Sequence, residues 1–181
     1  MKSFLFIALL MLSTLSFAQQ VSITEGSNDV TLDITLNYQS HWSVEDINRA
    51  INPVNGGIQQ LFNDPINLRR AGTNRYNVSS TISMGPMSMN FNSLLDYSQG
   101  ARGQGAVHQF RFYNFDHLFK STTITVDVKT GTNLSSVSIH QVGIIKKESY
   151  QKLKSIPFGT STFKGRILKN IKKFRSSTGG N

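Results

Sequence analysis

The chain has 181 residues, a formal net charge of +9 and no cysteine. That length suits one domain with a real core, and the lack of cysteine excludes disulfides, lipid-modified cysteine and thiolate metal sites. The charge is lopsided: nine Lys/Arg meet nine Asp/Glu up to Ile144, whereas Ile145 to Asn181 carries ten Lys/Arg against Glu148 alone.

The opening stretch, MKSFLFIALLMLSTLSFAQQ, reads as a secretory signal. Lys2 is a minimal positive region, Phe4 to Leu12 form the apolar run, and Ser16-Phe17-Ala18 is a small-x-small cleavage site. The run is short for a membrane span, and no later stretch approaches ~20 apolar residues. Residues 1–18 are therefore expected to be removed, leaving a single domain over 19–175 and a disordered tail over 176–181. A cysteine-free exported chain points to a bacterial periplasm or exterior.

The first strand expected is VTLDITLNYQS, where Val30, Leu32, Ile34, Leu36 and Tyr38 alternate with polar residues. In HWSVEDINRAI, Ser43 and Asp46 form a capping-box-like start, and Val44, Ile47 and Ile51 share a helical face. NPVNGG breaks that helix, and GIQQLFND predicts a second short one ended by Pro65. Six strand-like stretches follow: INLRR, RYNVSSTISM, MSMNFNSLLDYSQ, AVHQFRFYN, LFKSTTITVDVK and LSSVSIHQVGII, separated by turn signals. KESYQKLKSIP adds a turn or two of helix. Last comes a helix over Phe163 to Arg175, with Phe163, Ile167, Ile171 and Phe174 on one face.

From Val21 to Arg175 this order of elements resembles the START-like helix-grip fold of the polyketide-cyclase and lipid-transfer (SRPBCC) superfamily. The resemblance implies an α+β fold, with a curved antiparallel sheet of about seven strands wrapped around a C-terminal helix and two short helices after the first strand. It also implies an apolar cavity between sheet and helix, hence a hydrophobic or amphipathic small molecule such as a lipid as ligand. No subfamily motif accompanies the resemblance, so it assigns no site residue.

Candidate ligand contacts come from the residues themselves. Met87, Met89 and Phe91 alternate along one strand, and Phe110 and Phe112 along another, with Met84 nearby. Methionine adapts to varied apolar shapes, which suits a pocket lining and equally suits a filled core. His108 and Arg111 are candidate polar contacts. The four histidines have no metal-ligand spacing, although His108 and His140 lie in strands and are candidates to meet across the sheet. Asp116-His117 falls in a hairpin turn, where local hydrogen bonding is the ordinary role. SQGARGQGA lacks the Gly-Lys-Ser/Thr ending of a phosphate loop. No cofactor or metal is expected, and an enzyme using the same cavity has only fold analogy behind it.

The basic coat of the last helix comprises Lys164, Arg166, Lys169, Lys172, Lys173 and Arg175, with Lys146, Lys147, Lys152 and Lys154 upstream. Attraction to anionic lipid headgroups is one role for it. Few aromatics for base stacking, together with export, argue against nucleic acid. An alternative to ligand binding is a ligand-free interaction protein whose basic helix docks on an anionic envelope surface or acidic partner. A solvated helix face is the plain reading.

Overall fold

A computed structural model describes residues 19–55, 66–84 and 87–180, with side chains left undescribed at 55, 82–84 and 87–89. Eight strands form one open sheet: β1 (Gln19–Glu25), β2 (Asp29–Ser40), β3 (Ile66–Gly72), β4 (Arg75–Met84), β5 (Met87–Arg102), β6 (Gly105–Tyr113), β7 (Phe119–Lys129) and β8 (Ser135–Lys146). Their spatial order is β1-β2-β8-β7-β6-β5-β4-β3, antiparallel throughout. The three α-helices described are α1 (Val44–Ile51), α2 (Lys147–Ser155) and the C-terminal α3 (Gly159–Ser177).

Alternation sets the faces. In β2 every second residue from Val30 to Ser40 is buried, and in β6 Ala106, His108, Phe110 and Phe112 are buried while Gln109 and Arg111 are exposed. One face of the sheet is therefore apolar and the other is wet. The helices lie on the apolar face, and α3 buries Phe163 and Phe174 there.

One element appears beyond those expected, and one expected turn or two of helix is longer. β1 adds an edge strand before β2, in register from Gln19↔Leu36 to Glu25↔Val30. KESYQKLKS is a full helix, α2, anchored by Tyr150 and Leu153. The capping expectation at Ser43 holds: its Oγ accepts from the Asp46 amide at 3.1 Å and donates to Asp46 Oδ2 at 2.7 Å. The second short helix expected over GIQQLFND lies outside the described residues.

The tail expected to be disordered is instead a clasp as far as Gly180. Thr178 exposes no surface, and its hydroxyl donates to the Phe174 carbonyl at 2.8 Å. That leaves the Tyr38 hydroxyl as the donor in the 2.5 Å contact between Tyr38 Oη and Thr178 Oγ1. Ser40 Oγ donates to the Thr178 carbonyl at 2.6 Å, and the His41 amide donates to the Gly179 carbonyl at 3.0 Å. Burial in this contact pushes the Tyr38 phenol up to about 12. Gly179 has φ +75°, and a β-carbon on it would stand 2.4 Å from the Trp42 ring. Composition made this stretch look like a frayed end, but glycine is required here by backbone sign and by contact.

Candidate functional site

Buried apolar side chains form two clusters on the inner face. One joins Tyr76, Leu95, Tyr97, Phe110, Phe112 and their neighbours to α1 and to Phe174. The other joins Val30, Leu32, Ile34, Phe91 and Ile145 to α2 and to Phe163. Phe115 and Ile171, both half-buried, pack against both clusters. An aromatic series runs across this junction from sheet to helix. Ring centroids are 6.5 Å apart for Phe112–Phe115, 5.5 Å for Phe115–Phe119 and 6.4 Å for Phe119–Phe163. Such offsets are favourable for tilted rings.

The seam of α3 is unevenly closed. Phe163 and Phe174 at its ends are buried, while Ile167 and Ile171 between them are only half-buried. The sheet has half-buried side chains on the same inner face, Ile124 on β7 and Gln141 on β8, which are register partners. Gln141 Nε2 donates to Thr122 Oγ1 at 3.2 Å, and that hydroxyl donates to the Val142 carbonyl at 3.2 Å. Gly143 makes room for Phe119: a β-carbon there would lie 3.1 Å from the Phe119 ring. The β7 register shifts between Phe119 and Ser121, which sets that ring at the mouth of the strand. Half-buried apolar side chains thus share the inner face with one half-buried amide, that of Gln141.

The expected site residues divide into several groups. Phe91, Phe110 and Phe112 do face inward, but each is packed core. Met87 and Met89 have side chains outside the described residues. Arg111 does not join the others: alternation puts it on the wet face, where its guanidinium carbon lies 5.9 Å from the Tyr113 ring centroid. His140 is exposed on that same wet face, 3.4 Å from Asp33, and does not meet His108.

His108 is fully enclosed. Its Nε2 is 2.8 Å from Asn48 Oδ1 on α1, and its Nδ1 is 2.8 Å from the Tyr97 hydroxyl. With the buried imidazole neutral, Nε2–H donates to Asn48 and Nδ1 accepts the single Tyr97 hydroxyl proton, whose 2.8 Å contact is shorter than the 3.1 Å from that hydroxyl to Gln99 Oε1. Burial pulls the imidazole down to about 4 and pushes the Tyr97 phenol up to about 12. His108 thus holds α1 to the sheet rather than offering a free polar contact.

The basic coat also divides. Lys154 is paired with Glu25 at 2.9 Å, Lys147 donates to the Gly26 and Ser27 carbonyls at 2.9 and 2.8 Å, and Lys146 reaches the Phe115 carbonyl at 3.4 Å. Lys152, Lys164, Lys169, Lys172 and Lys173 are exposed, whereas Arg166 and Arg175 are half-buried.

No family model and no curated protein matches the sequence. Solved structures do match in three dimensions. The aromatase/cyclase Zhui from Streptomyces sp. R1128 superposes with a TM-score of 0.59 at 6% identity, covering 82% of this chain and 91% of that one. The STAR-related lipid transfer protein fragment from Xanthomonas axonopodis gives 0.53 at 10% identity, covering 87% and 97%. The chain has the START-like helix-grip fold. Within that fold it spans about half of the di-domain ARO/CYC BexL from the BE-7585A biosynthetic pathway, which it matches at TM-score 0.56 and 8% identity over 83% of its own length and 51% of that chain. The departure from the expected seven strands is the β1 hairpin partner added outside β2, which widens the grip at one edge.

Proposed function

We propose that this helix-grip protein binds a hydrophobic or amphipathic small molecule, of the size and character of a lipid chain, between the inner face of the sheet and α3. One observation carries the reading: Phe163 and Phe174 towards the two ends of α3 are buried, yet Ile167 and Ile171 between them on the same face are only half-buried. Leaving such surface open forgoes the burial that stabilises a core, about 25 cal/mol per Å2, and an apolar ligand recovers it. Phe115 and Phe119 supply the wall, and the half-buried Gln141 amide is the group that orients a polar end of the ligand. Structural neighbours named for lipid transfer and for aromatase/cyclase action support the same use of the fold. Export to a periplasm or the exterior belongs to the reading, supported by the N-terminal signal pattern.

Native mass spectrometry of protein purified from its own host tests the reading, with an added mass of lipid or apolar-metabolite size expected. Titration with an apolar fluorescent dye gives a second readout, and Ile171→Asp is expected to weaken dye uptake while the protein still folds. Absence of both co-purified mass and dye uptake would leave the alternative, a ligand-free interaction protein.

A further inference from the structure

We propose that the outer side of α3 and the α2–α3 corner form a docking surface for an anionic lipid bilayer, with Phe158 and Leu168 entering the headgroup layer between lysines. Only a few large apolar side chains among the described residues stand out in water, and two of them lie here: Phe158 is 83% exposed and Leu168 39% exposed.

Phe158 is the more telling. It sits in the left-handed backbone region at φ 59°, which glycine adopts freely and side chains with a β-carbon disfavour. The corner is fixed in that shape by its neighbours. The Gly159 amide donates to the Ile156 carbonyl at 2.9 Å, and a β-carbon on Gly159 would stand 2.1 Å from the Leu153 carbonyl oxygen. A ring held at the tip of a fixed corner, nearly all in water, adds nothing to the core. Fold stability alone would favour another residue at this position.

The cations around these two side chains complete the pattern. Lys164, Leu168 and Lys172 follow one another at four-residue intervals and so form one row on the helix, with Lys169 and Lys173 in the next row. All four lysines are exposed, as is Lys152 on α2. The only acidic residue after Ile145 is Glu148, in the first turn of α2. Apolar side chains interleaved with lysine on one outer face are the signature of an element that lies on a bilayer. A protein partner would need a broad, well-packed apolar centre, which an isolated ring and one leucine do not make. At about 100° per residue, Lys169 and Lys173 lie across α3 from Ile167 and Ile171, and Leu168 lies on its flank, about 60° from Ile171. The inference rests on these exposed side chains and not on the half-buried seam, so it stands apart from the ligand reading.

The test is co-sedimentation of the purified protein with phosphatidylcholine vesicles, with and without phosphatidylglycerol. Wild type is expected to bind only the anionic vesicles, and less as salt rises. Phe158→Gly should weaken that binding about tenfold, the scale set by burying one phenylalanine. Its melting temperature should hold or rise, because glycine relieves the backbone. Leu168→Gln should weaken binding by a smaller factor, again with the fold intact. The combined change of Lys164, Lys169, Lys172 and Lys173 to Gln should remove the dependence on phosphatidylglycerol. Wild type that ignores anionic vesicles would overturn the proposal. So would Phe158→Gly and Leu168→Gln variants that bind as wild type does, since adsorption would then be charge alone.

Discussion

Acid should loosen this fold through His108 in particular. The side chain is fully enclosed, with both ring nitrogens engaged, and burial holds it at about 4 against an ordinary 6.5. Because the folded value is the lower one, the unfolded chain takes up the proton first as pH falls. Stability from keeping this imidazole neutral is therefore complete above about pH 6.5 and is lost progressively down to about pH 4. The gap between the two values corresponds to ~3 kcal/mol over that window. His108→Gln removes the titration while keeping a side chain able to donate and accept. Its cost near neutral pH should be about 1–3 kcal/mol, from imperfect bonds to Asn48 and Tyr97. Urea unfolding of both proteins, near neutral pH and just above pH 4, gives the comparison. Wild type should lose more stability than the variant, and the exposed histidines common to both cancel in the difference. Equal losses would refute the argument that His108 is held neutral by enclosure.

Other expectations follow from the uneven seam and the clasp. Phe174→Ala should cost ~3–5 kcal/mol as a buried truncation, whereas Ile171→Ala should cost less and reduce dye uptake; urea midpoints in the reverse order would refute the half-open seam. Gly179→Ala should lower the melting temperature, because its β-carbon would meet Trp42 on a backbone of φ +75°, and an unchanged value would show that the clasp is not held as described. N-terminal sequencing of the exported protein should start at or near Gln19, and a retained Met1 would remove the export reading.

Much of the fold was legible because most of its strands alternate cleanly. Val30 to Tyr38 and Ala106 to Phe112 announce both strand and face, and Ser43 with Asp46 announces the helix start. β1 was hidden because an edge strand buries little: in QQVSITE only Val21, Ser22 and Ile23 are even half-buried. α2 was hard to bound because only Tyr150 and Leu153 of its residues face the core. The tail misled through composition, since serine, threonine and glycine serve a clasp as readily as a frayed end. For the site, the same alternation that selected Phe110 and Phe112 also puts Arg111 on the wet face. Phe115 and Phe119 escaped notice for a different reason. One lies between strands and the other at a register shift, where period-2 counting stops carrying information.

The clasp also fixes when this protein can finish folding. β2 is bordered by β8, in pairs from Asp29↔Lys146 to Ser40↔Ser135, and its end is then locked by Thr178 and Gly180. One of the earliest strands is thus completed by residues more than a hundred positions later. Closure must wait for nearly the whole chain, because such distant contacts form only after a large loss of chain freedom. During synthesis the hairpins from β3 to β7 have local partners, while β2 and its apolar row from Val30 to Tyr38 have only β1. A chain emerging N-terminus first therefore keeps the apolar row of β2 without its second neighbour until β8 has been made, and the last bonds at its end wait for residue 180.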